Sequence, residues 1–188
     1  AFWSFEVQVT PAVLIPRPET EFLVEQALTT CSSHRVNLAL DLCTGSGAIA
    51  LVLAKELGCR VVASDLSEVA LQVAKHNARQ QGFEEHIAFV RSDLFAGVQT
   101  QFDLIVTNPP YIVEGEIDAL QAEVARSEPR LALSGGQDGL DCIRRIIAAA
   151  PAYLKPGGWL FMEIGADQQE AVKGLLHGAG QAYEKIDI

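Results

Sequence analysis

Between residue 36 and the end of the chain, short apolar runs alternate with stretches of helical period, and few folds accommodate that rhythm. Residues 36–40, 60–64, 86–90, 102–107 and 159–164 are short and apolar, as buried strands are. Residues 48–57, 138–153 and 167–177 have the apolar spacing of helices. So does a segment capped by Ser67 and running to residue 80, with Val69, Leu71, Val73 and Ala74 on its apolar side. Pro156-Gly157-Gly158 ends the helix before it, and residues 182–188 read as a last strand. Strands separated by helices predict a Rossmann-like α/β fold, a mainly parallel sheet with helices on both faces. The longest irregular section is 111–137, and loops of that length are usually functional.

Ahead of the sheet, residues 2–9 alternate between Phe2, Ser4, Glu6, Gln8 and Trp3, Phe5, Val7, Val9, the period of a strand. Pro11, Pro16 and Pro18 exclude a regular helix over 11–20. Thr20 is positioned to cap a helix over 21–30, with Phe22, Leu23, Ala27 and Leu28 apolar. The expected organisation is a short β arm and linker over 1–20, followed by one domain over 21–188. The chain opens at Ala1, inside a strand-like segment, and is expected to be a piece of a longer protein.

A chain of 188 residues suits one domain, and a 49% hydrophobic content fills its core. No apolar run approaches the roughly 18 residues of a membrane span. The net charge of −10 sets up a field that repels DNA and RNA, favouring a protein or small-molecule partner, so no direct nucleic-acid contact is expected. Cys31, Cys43, Cys59 and Cys142 form no CxxC pair, and His34, His76, His86 and His177 are scattered. The cysteines fit thiols in a reducing cytoplasm better than a disulfide framework, and no metal site is expected.

Asp41-Leu42-Cys43-Thr44-Gly45-Ser46-Gly47 joins the first strand to the next helix, where glycine lets the backbone approach a ligand. Asp65 directly follows the second strand, where a carboxylate accepts both hydroxyls of a ribose. NAD folds use the same device, so the pair indicates an adenosine cofactor before it indicates which one. The third glycine of the dinucleotide fingerprint is absent, Ala50 standing in its place, and Asp41 is suited to the cationic methionine end of S-adenosyl-L-methionine, directly or through water. Asp93, after the third strand, either accepts from the adenine amine or caps a helix, and Leu94 or Phe95 would cover the ring.

Asn108-Pro109-Pro110-Tyr111 follows the fourth strand. Two prolines stiffen the turn and remove two N–H donors, leaving the Asn108 side-chain oxygen and the Pro109 carbonyl as acceptors, with Tyr111 as a wall. Such a site suits a planar group bearing NH2. Amide and aniline nitrogens are poor nucleophiles, and two acceptors would hold their hydrogens while aiming the lone pair at a methyl donor; such alignment is worth roughly 7–11 kcal/mol. The same tetrapeptide occurs on enzymes that methylate adenine in DNA, guanine in RNA and glutamine in protein, so it defines the nucleophile and not the polymer.

Three further segments resemble one family. Residues 13–21, with Pro16-Arg17-Pro18-Glu19-Thr20-Glu21, residues 128–133 and Gly135-Gly136-Gln137-Asp138-Gly139-Leu140-Asp141 are similar in order and content to the release-factor glutamine methyltransferases (the HemK/PrmC family). The resemblance covers nearly the whole chain. It implies a class I S-adenosylmethionine-dependent fold, yielding S-adenosyl-L-homocysteine, and methylation of the GGQ glutamine of peptide-chain release factors in translation termination. It assigns Cys43 to Gly47, Asp65 and Asn108 to the cofactor, and Asn108, Pro109, Pro110 and Tyr111 to the target glutamine. The family often has Gly where this chain has Cys43, and an aromatic residue where it has Leu94. It also carries a helical domain before the arm and one more strand at the end, so this chain is expected to lack both and to act as a monomer. A sister branch acting on ribosomal-protein glutamine is the near alternative, and a DNA or RNA amino-methyltransferase the distant one. The distant one requires a basic groove, built from Lys55, Lys75, Arg79, Arg91, Arg126 and Arg130. Arg17 and Glu19 either fix the arm or line the substrate groove, and Glu163 either holds a backbone group or takes part in the chemistry.

Overall fold

The computed structural model describes residues 1–120 and 128–188. Five strands form one sheet: β1 (Leu38–Leu42), β2 (Arg60–Asp65), β3 (Ile87–Arg91), β4 (Phe102–Thr107) and β5 (Leu154–Met162). Their order is β3-β2-β1-β4-β5, and every pairing is parallel. Helices α1 (Pro18–Cys31), α2 (Ala48–Leu57), α3 (Glu68–Gln80), α4 (Asp141–Tyr153) and α5 (Gln169–Gly178) flank the sheet, α2, α3 and α4 lying in the connections between strands.

Parallel strands covered on both faces alternate between two apolar layers. Ala39 of β1 and Leu104 and Val106 of β4 pack with Val24 of α1 and Leu51 of α2. Leu40, Leu42 and Ile105 point the other way, against Ile146 and Ala150 of α4. A third cluster joins α4 to α5 through Ile143, Ile147, Val172 and Leu176. β1 lies between β2 and β4, so the chain winds outward in both directions from it. The crevice beyond the carboxyl ends of β1, β2 and β4 is where open α/β sheets bind ligands.

Four elements differ from expectation. The strand over 2–9 is replaced by a tight turn: Phe2 and Phe5 exchange both backbone hydrogen bonds at 2.9 Å, with Trp3 at φ 53 between them. A strand would send Phe2 and Phe5 to opposite faces, whereas the turn buries both in the α1–α2 layer. The following segment is held by side chains instead of a ladder, with Gln8 bonded through N–H and C=O to Asn77 of α3. α1 begins at Pro18, because proline is preorganised for the first helical position, so Arg17 takes the N-cap and Thr20 lies inside, buried. Pro156-Gly157-Gly158 falls within β5, as an irregularity of register opposite residues 102–104 of β4, with Gly157 at φ 75. The last expected strand is absent: a short 3-10 turn at Gly180–Ala182 leads into irregular chain, and Tyr183 and Ile186 pack on the α4–α5 cluster. Part of the 111–137 section, with Arg126, lies outside the described residues; the rest includes a 3-10 helix at Glu114–Ala119 and one helical turn at Arg130–Leu133.

Candidate active site

A cavity of about 440 Å³ opens beyond the carboxyl ends of β1 and β2, and a smaller one of about 90 Å³ lies beside it under the loop after β4. They share three wall residues, Leu14, Asn108 and Ala132.

The loop after β1 owes its shape to backbone conformation. Cys43, Gly45 and Gly47 all have positive φ, at 63, 54 and 81. Gly45 has open space where a Cβ would stand and lines the larger cavity with Cys43, Thr44 and Ser46. Gly47 does not line it: a Cβ there would lie 3.0 Å from the Ala74 Cβ, so this glycine serves the close packing of α2 on α3. Asp41 departs further from expectation. It is fully buried beneath the loop and off the cavity wall, its Oδ2 accepting from the Thr44 hydroxyl at 2.5 Å and the Ala50 N–H at 2.9 Å. Through Oδ2 it ties the loop to the start of α2, while Oδ1 is buried without a partner among the described residues. Burial pushes its carboxyl up to about 7. Burial first, and Asp65 next, push the Cys43 thiol well above its ordinary range, leaving it a protonated wall group.

Asp65, at the end of β2, lines the larger cavity and is fixed before any ligand arrives: Oδ2 accepts from Gly45 N–H and Oδ1 from Ser67 N–H, both at 2.9 Å. Each oxygen keeps a further lone pair for a diol. Burial raises its pKa, against the backbone N–H groups of Ser67, Gly45 and Leu66. The Ser64 hydroxyl, on the same wall, is buried without a partner among the described residues. Asp93 also lines the cavity, but caps no helix; it is half-exposed and paired with Arg145 of α4 at 2.9 Å. Leu94 covers the wall at φ 50, whereas Phe95 turns away and stacks on Tyr153 with ring centroids 4.6 Å apart, so Phe95 is no substitute cover.

The loop after β4 is held by side chains from elsewhere. Pro110 faces the larger cavity, and Pro109 and Tyr111 the smaller. Asn108 Nδ2 donates to the Thr20 hydroxyl at 3.0 Å, Thr20 donates to Glu163 at 2.7 Å, and the Tyr111 hydroxyl donates to the other Glu163 oxygen at 3.1 Å. Burial, then Glu163, push Tyr111 up to about 12, so it stays a donor. Gln168 donates to the Tyr111 carbonyl at 2.8 Å and to Gly139 at 3.2 Å. Gly139, at φ 75, approaches so closely that a Cβ would collide with that same carbonyl oxygen. Gly135 N–H donates to Ile112 C=O, and Glu114 N–H to Gly136 C=O, stitching the two loops together. Arg17 reaches Glu128 at 2.6 Å, and both line the smaller cavity, so Arg17 fixes the arm and forms the groove at once. Glu19 is exposed.

Thr20, Glu163 and Gln168 hold the Asn108–Tyr111 loop, yet sequence reasoning assigned Thr20 to a cap and passed over Gln168. The signal for Thr20 lay in its place within Pro-Arg-Pro-Glu-Thr-Glu; a lone glutamine after β5 carries none. Among the described residues, no cluster of three His, Cys, Asp or Glu side chains could hold a metal ion, and no helix is long and apolar enough to cross a membrane.

A parallel sheet with this strand order, a glycine turn after β1, an acid after β2 and Asn-Pro-Pro-Tyr after β4 defines the Rossmann-like architecture of class I methyltransferases. The profile of the methyltransferase small domain matches residues 18–137, and the chain belongs to that family. It is 49% identical over 181 residues to the release factor glutamine methyltransferase of Xylella fastidiosa (strain 9a5c), a match covering 95% of this chain. The chain spans 65% of that relative's length. Among solved structures, a methyltransferase from Pyrococcus furiosus shares the fold, with a TM-score of 0.70 at 20% identity over 96% of this chain and 80% of that one. The Thermus thermophilus 16S rRNA N2 G1207 methyltransferase RsmC, in complex with AdoMet and guanosine, has a TM-score of 0.58 at 25% identity over 79% of this chain and 34% of that one.

Proposed function

We propose that this chain binds S-adenosyl-L-methionine in the larger cavity and directs methylation of a glutamine side-chain amide presented in the smaller one, the glutamine being that of the GGQ loop of peptide-chain release factors. The observation that carries it is Asn108, which lines both cavities and so stands where donor and acceptor of a methyl group would meet. The larger cavity fits the cofactor: its volume lies in the usual range for small-molecule sites, Gly45 leaves room for close approach, and Asp65 and Ser64 offer acceptors. When bound, S-adenosyl-L-methionine supplies an electrophilic methyl group and becomes S-adenosyl-L-homocysteine.

The protein's own part is alignment. Asn108 Oδ1 and the Pro109 carbonyl accept the two hydrogens of the amide, which turns its nitrogen lone pair toward the larger cavity. Tyr111 closes the side of the smaller cavity, which admits little more than a short planar group. No general base is required if the proton leaves the nitrogen after it has gained the methyl group, when that nitrogen is strongly acidic.

A protein substrate is favoured over nucleic acid by charge. Among the described residues, the cationic side chains lining the two cavities are Arg17 and Arg145, each already paired with a carboxylate. Arg130 is likewise paired with Glu114 and Asp118, and Lys75 faces Glu68. The similarity to the Xylella relative favours release factors over ribosomal proteins. The test is transfer of labelled methyl from S-adenosyl-L-methionine by the full-length protein, offered a release factor, its GGQ→GGA variant, a ribosomal-protein extract and DNA. Label on the release factor that vanishes with the Gln→Ala change is the expected result; label on ribosomal protein or DNA alone would refute the release-factor reading.

A further inference from the structure

Resting on the reading of Asn108 as the amide acceptor, we infer that Glu163 and Thr20 are positioning residues: together they dictate which end of the Asn108 amide faces the smaller cavity. An asparagine side chain presents either an oxygen or an NH2 group, two ends of nearly equal shape. Only the oxygen can accept a hydrogen from a substrate amide. The reversed orientation would set NH2 against NH2, so an enzyme using Asn108 in this way needs a device that forbids the reversal.

The hydrogen-bond order supplies one. Ionised Glu163 has no proton to give, so both of its oxygens accept, one from Tyr111 and the other from Thr20. The single hydroxyl hydrogen of Thr20 is thereby committed to Glu163, and its oxygen is left only as an acceptor. Asn108 Nδ2 donates to it at 3.0 Å, which turns the NH2 end toward α1 and leaves Oδ1 for the substrate. The relay joins three separate elements: α1 through Thr20, the loop after β4 through Asn108 and Tyr111, and the end of β5 through Glu163. Thr20 is 4% exposed, so water does not readily take over its role.

The relay works in this direction only while Glu163 is a carboxylate. Once protonated, Glu163 can donate to Thr20, freeing the Thr20 hydrogen for Asn108 Oδ1 and stabilising the reversed amide. Burial raises the Glu163 pKa, against hydrogen bonds from Thr20 and Tyr111, and Glu19 of α1 raises it further; Arg17, beside the start of α1, acts on Tyr111. Turnover is therefore lost as pH falls through a value above the ordinary glutamate range.

The test compares Thr20→Val, Thr20→Ser, Glu163→Gln and Asn108→Ala in the full-length protein, reading kcat, KM for the release factor, its pH profile and S-adenosyl-L-methionine affinity. Thr20→Val keeps the shape and loses the hydroxyl; kcat is expected to fall about 100-fold, the scale of a misaligned reacting group, with cofactor affinity nearly unchanged. Thr20→Ser restores the hydroxyl and should recover most of that loss. Glu163→Gln should abolish the acidic limb of the kcat profile. Equal losses in Thr20→Val and Thr20→Ser would make Thr20 a packing residue and overturn the inference, as would an unchanged acidic limb in Glu163→Gln. If Glu163→Gln does not fold, the two Thr20 variants decide alone. An inactive Asn108→Ala beside a fully active Thr20→Val would sink the relay and leave the amide-acceptor reading standing; an active Asn108→Ala would sink that reading itself.

Discussion

The loops after β1 and β4 emerge from adjacent parallel strands and meet at one crevice, yet they are held by different means. The loop after β1 is shaped by its own backbone: positive φ at three alternate positions, Cys43, Gly45 and Gly47, with Asp41 fastening it from below. The loop after β4 is stiffened by Pro109 and Pro110, but its working groups are set by side chains remote in sequence, Thr20, Glu163 and Gln168. A site for a constant ligand can be built from local backbone, whereas a site that must orient one particular amide needs hydrogen-bond partners from several elements.

This contrast predicts different failures. Asn108→Ala should give the largest effect, a loss of about 100-fold to 1,000-fold in turnover, comparable to removing one directing hydrogen-bond group from an active site, with cofactor affinity largely spared. Equal losses of affinity and turnover would erase the distinction between the loops. Gly139→Ala should act through the second loop alone. A Cβ there meets the Tyr111 carbonyl, stands 2.7 Å from Gln168 Nε2 and must adopt φ 75. We expect a destabilisation of about 2–4 kcal/mol, read as a lowered midpoint in urea unfolding. Asp65→Ala should weaken S-adenosyl-L-methionine binding about 10-fold to 100-fold in calorimetry, the range for hydrogen bonds to a charged group, and leave turnover at saturation less affected. Unchanged affinity would remove Asp65 from the cofactor site.

The smallest effect concerns the fastening of the first loop. Asp41 titrates near 7 when folded, against an ordinary value of 3.8, because burial disfavours its charge. Between those values the folded state holds a proton that the unfolded state has released. Its contribution to stability is therefore full below about pH 4 and is lost as pH rises through 7. Asp41→Asn cannot ionise and should show a shallower decline of thermal midpoint between pH 5 and pH 8; an identical decline would assign the pH dependence to other groups.

Most of the fold was legible in the sequence, because its signals are local. The strand and helix alternation from β1 through β5 survives in the structure, and Ser67 caps α3 as its position indicates, accepting from Ala70 N–H. The first nine residues misled because the alternation of Phe2 to Val9 imitates a strand, while burial of Phe2 and Phe5 together demands a turn. The larger cavity was largely readable: Cys43, Thr44, Gly45, Ser46, Asp65, Asp93 and Leu94 all line it. Positive φ at Cys43 is a conformation that glycine adopts without strain. Asp41 lies beneath the loop and off the cavity wall, which a sequence does not disclose: it indicates that an acid opens a loop but not on which side of the backbone its carboxylate lies. The roles of Thr20, Glu163 and Gln168 in holding the Asn108–Tyr111 loop were hidden because their partners on that loop and on one another are 52 to 143 residues away along the chain.

The proposed function gives Asn108 to the methyl-transfer step and Asp65 to cofactor capture. It is tested most directly by measuring S-adenosyl-L-methionine affinity and single-turnover methylation of a release factor on the same preparations of Asn108→Ala and Asp65→Ala. A crossed pattern is expected: near-normal affinity with a collapsed rate for Asn108→Ala, and weakened affinity with a rate that recovers at saturating cofactor for Asp65→Ala. Parallel losses of both quantities in both variants would contradict it, and would make the two cavities a single binding site.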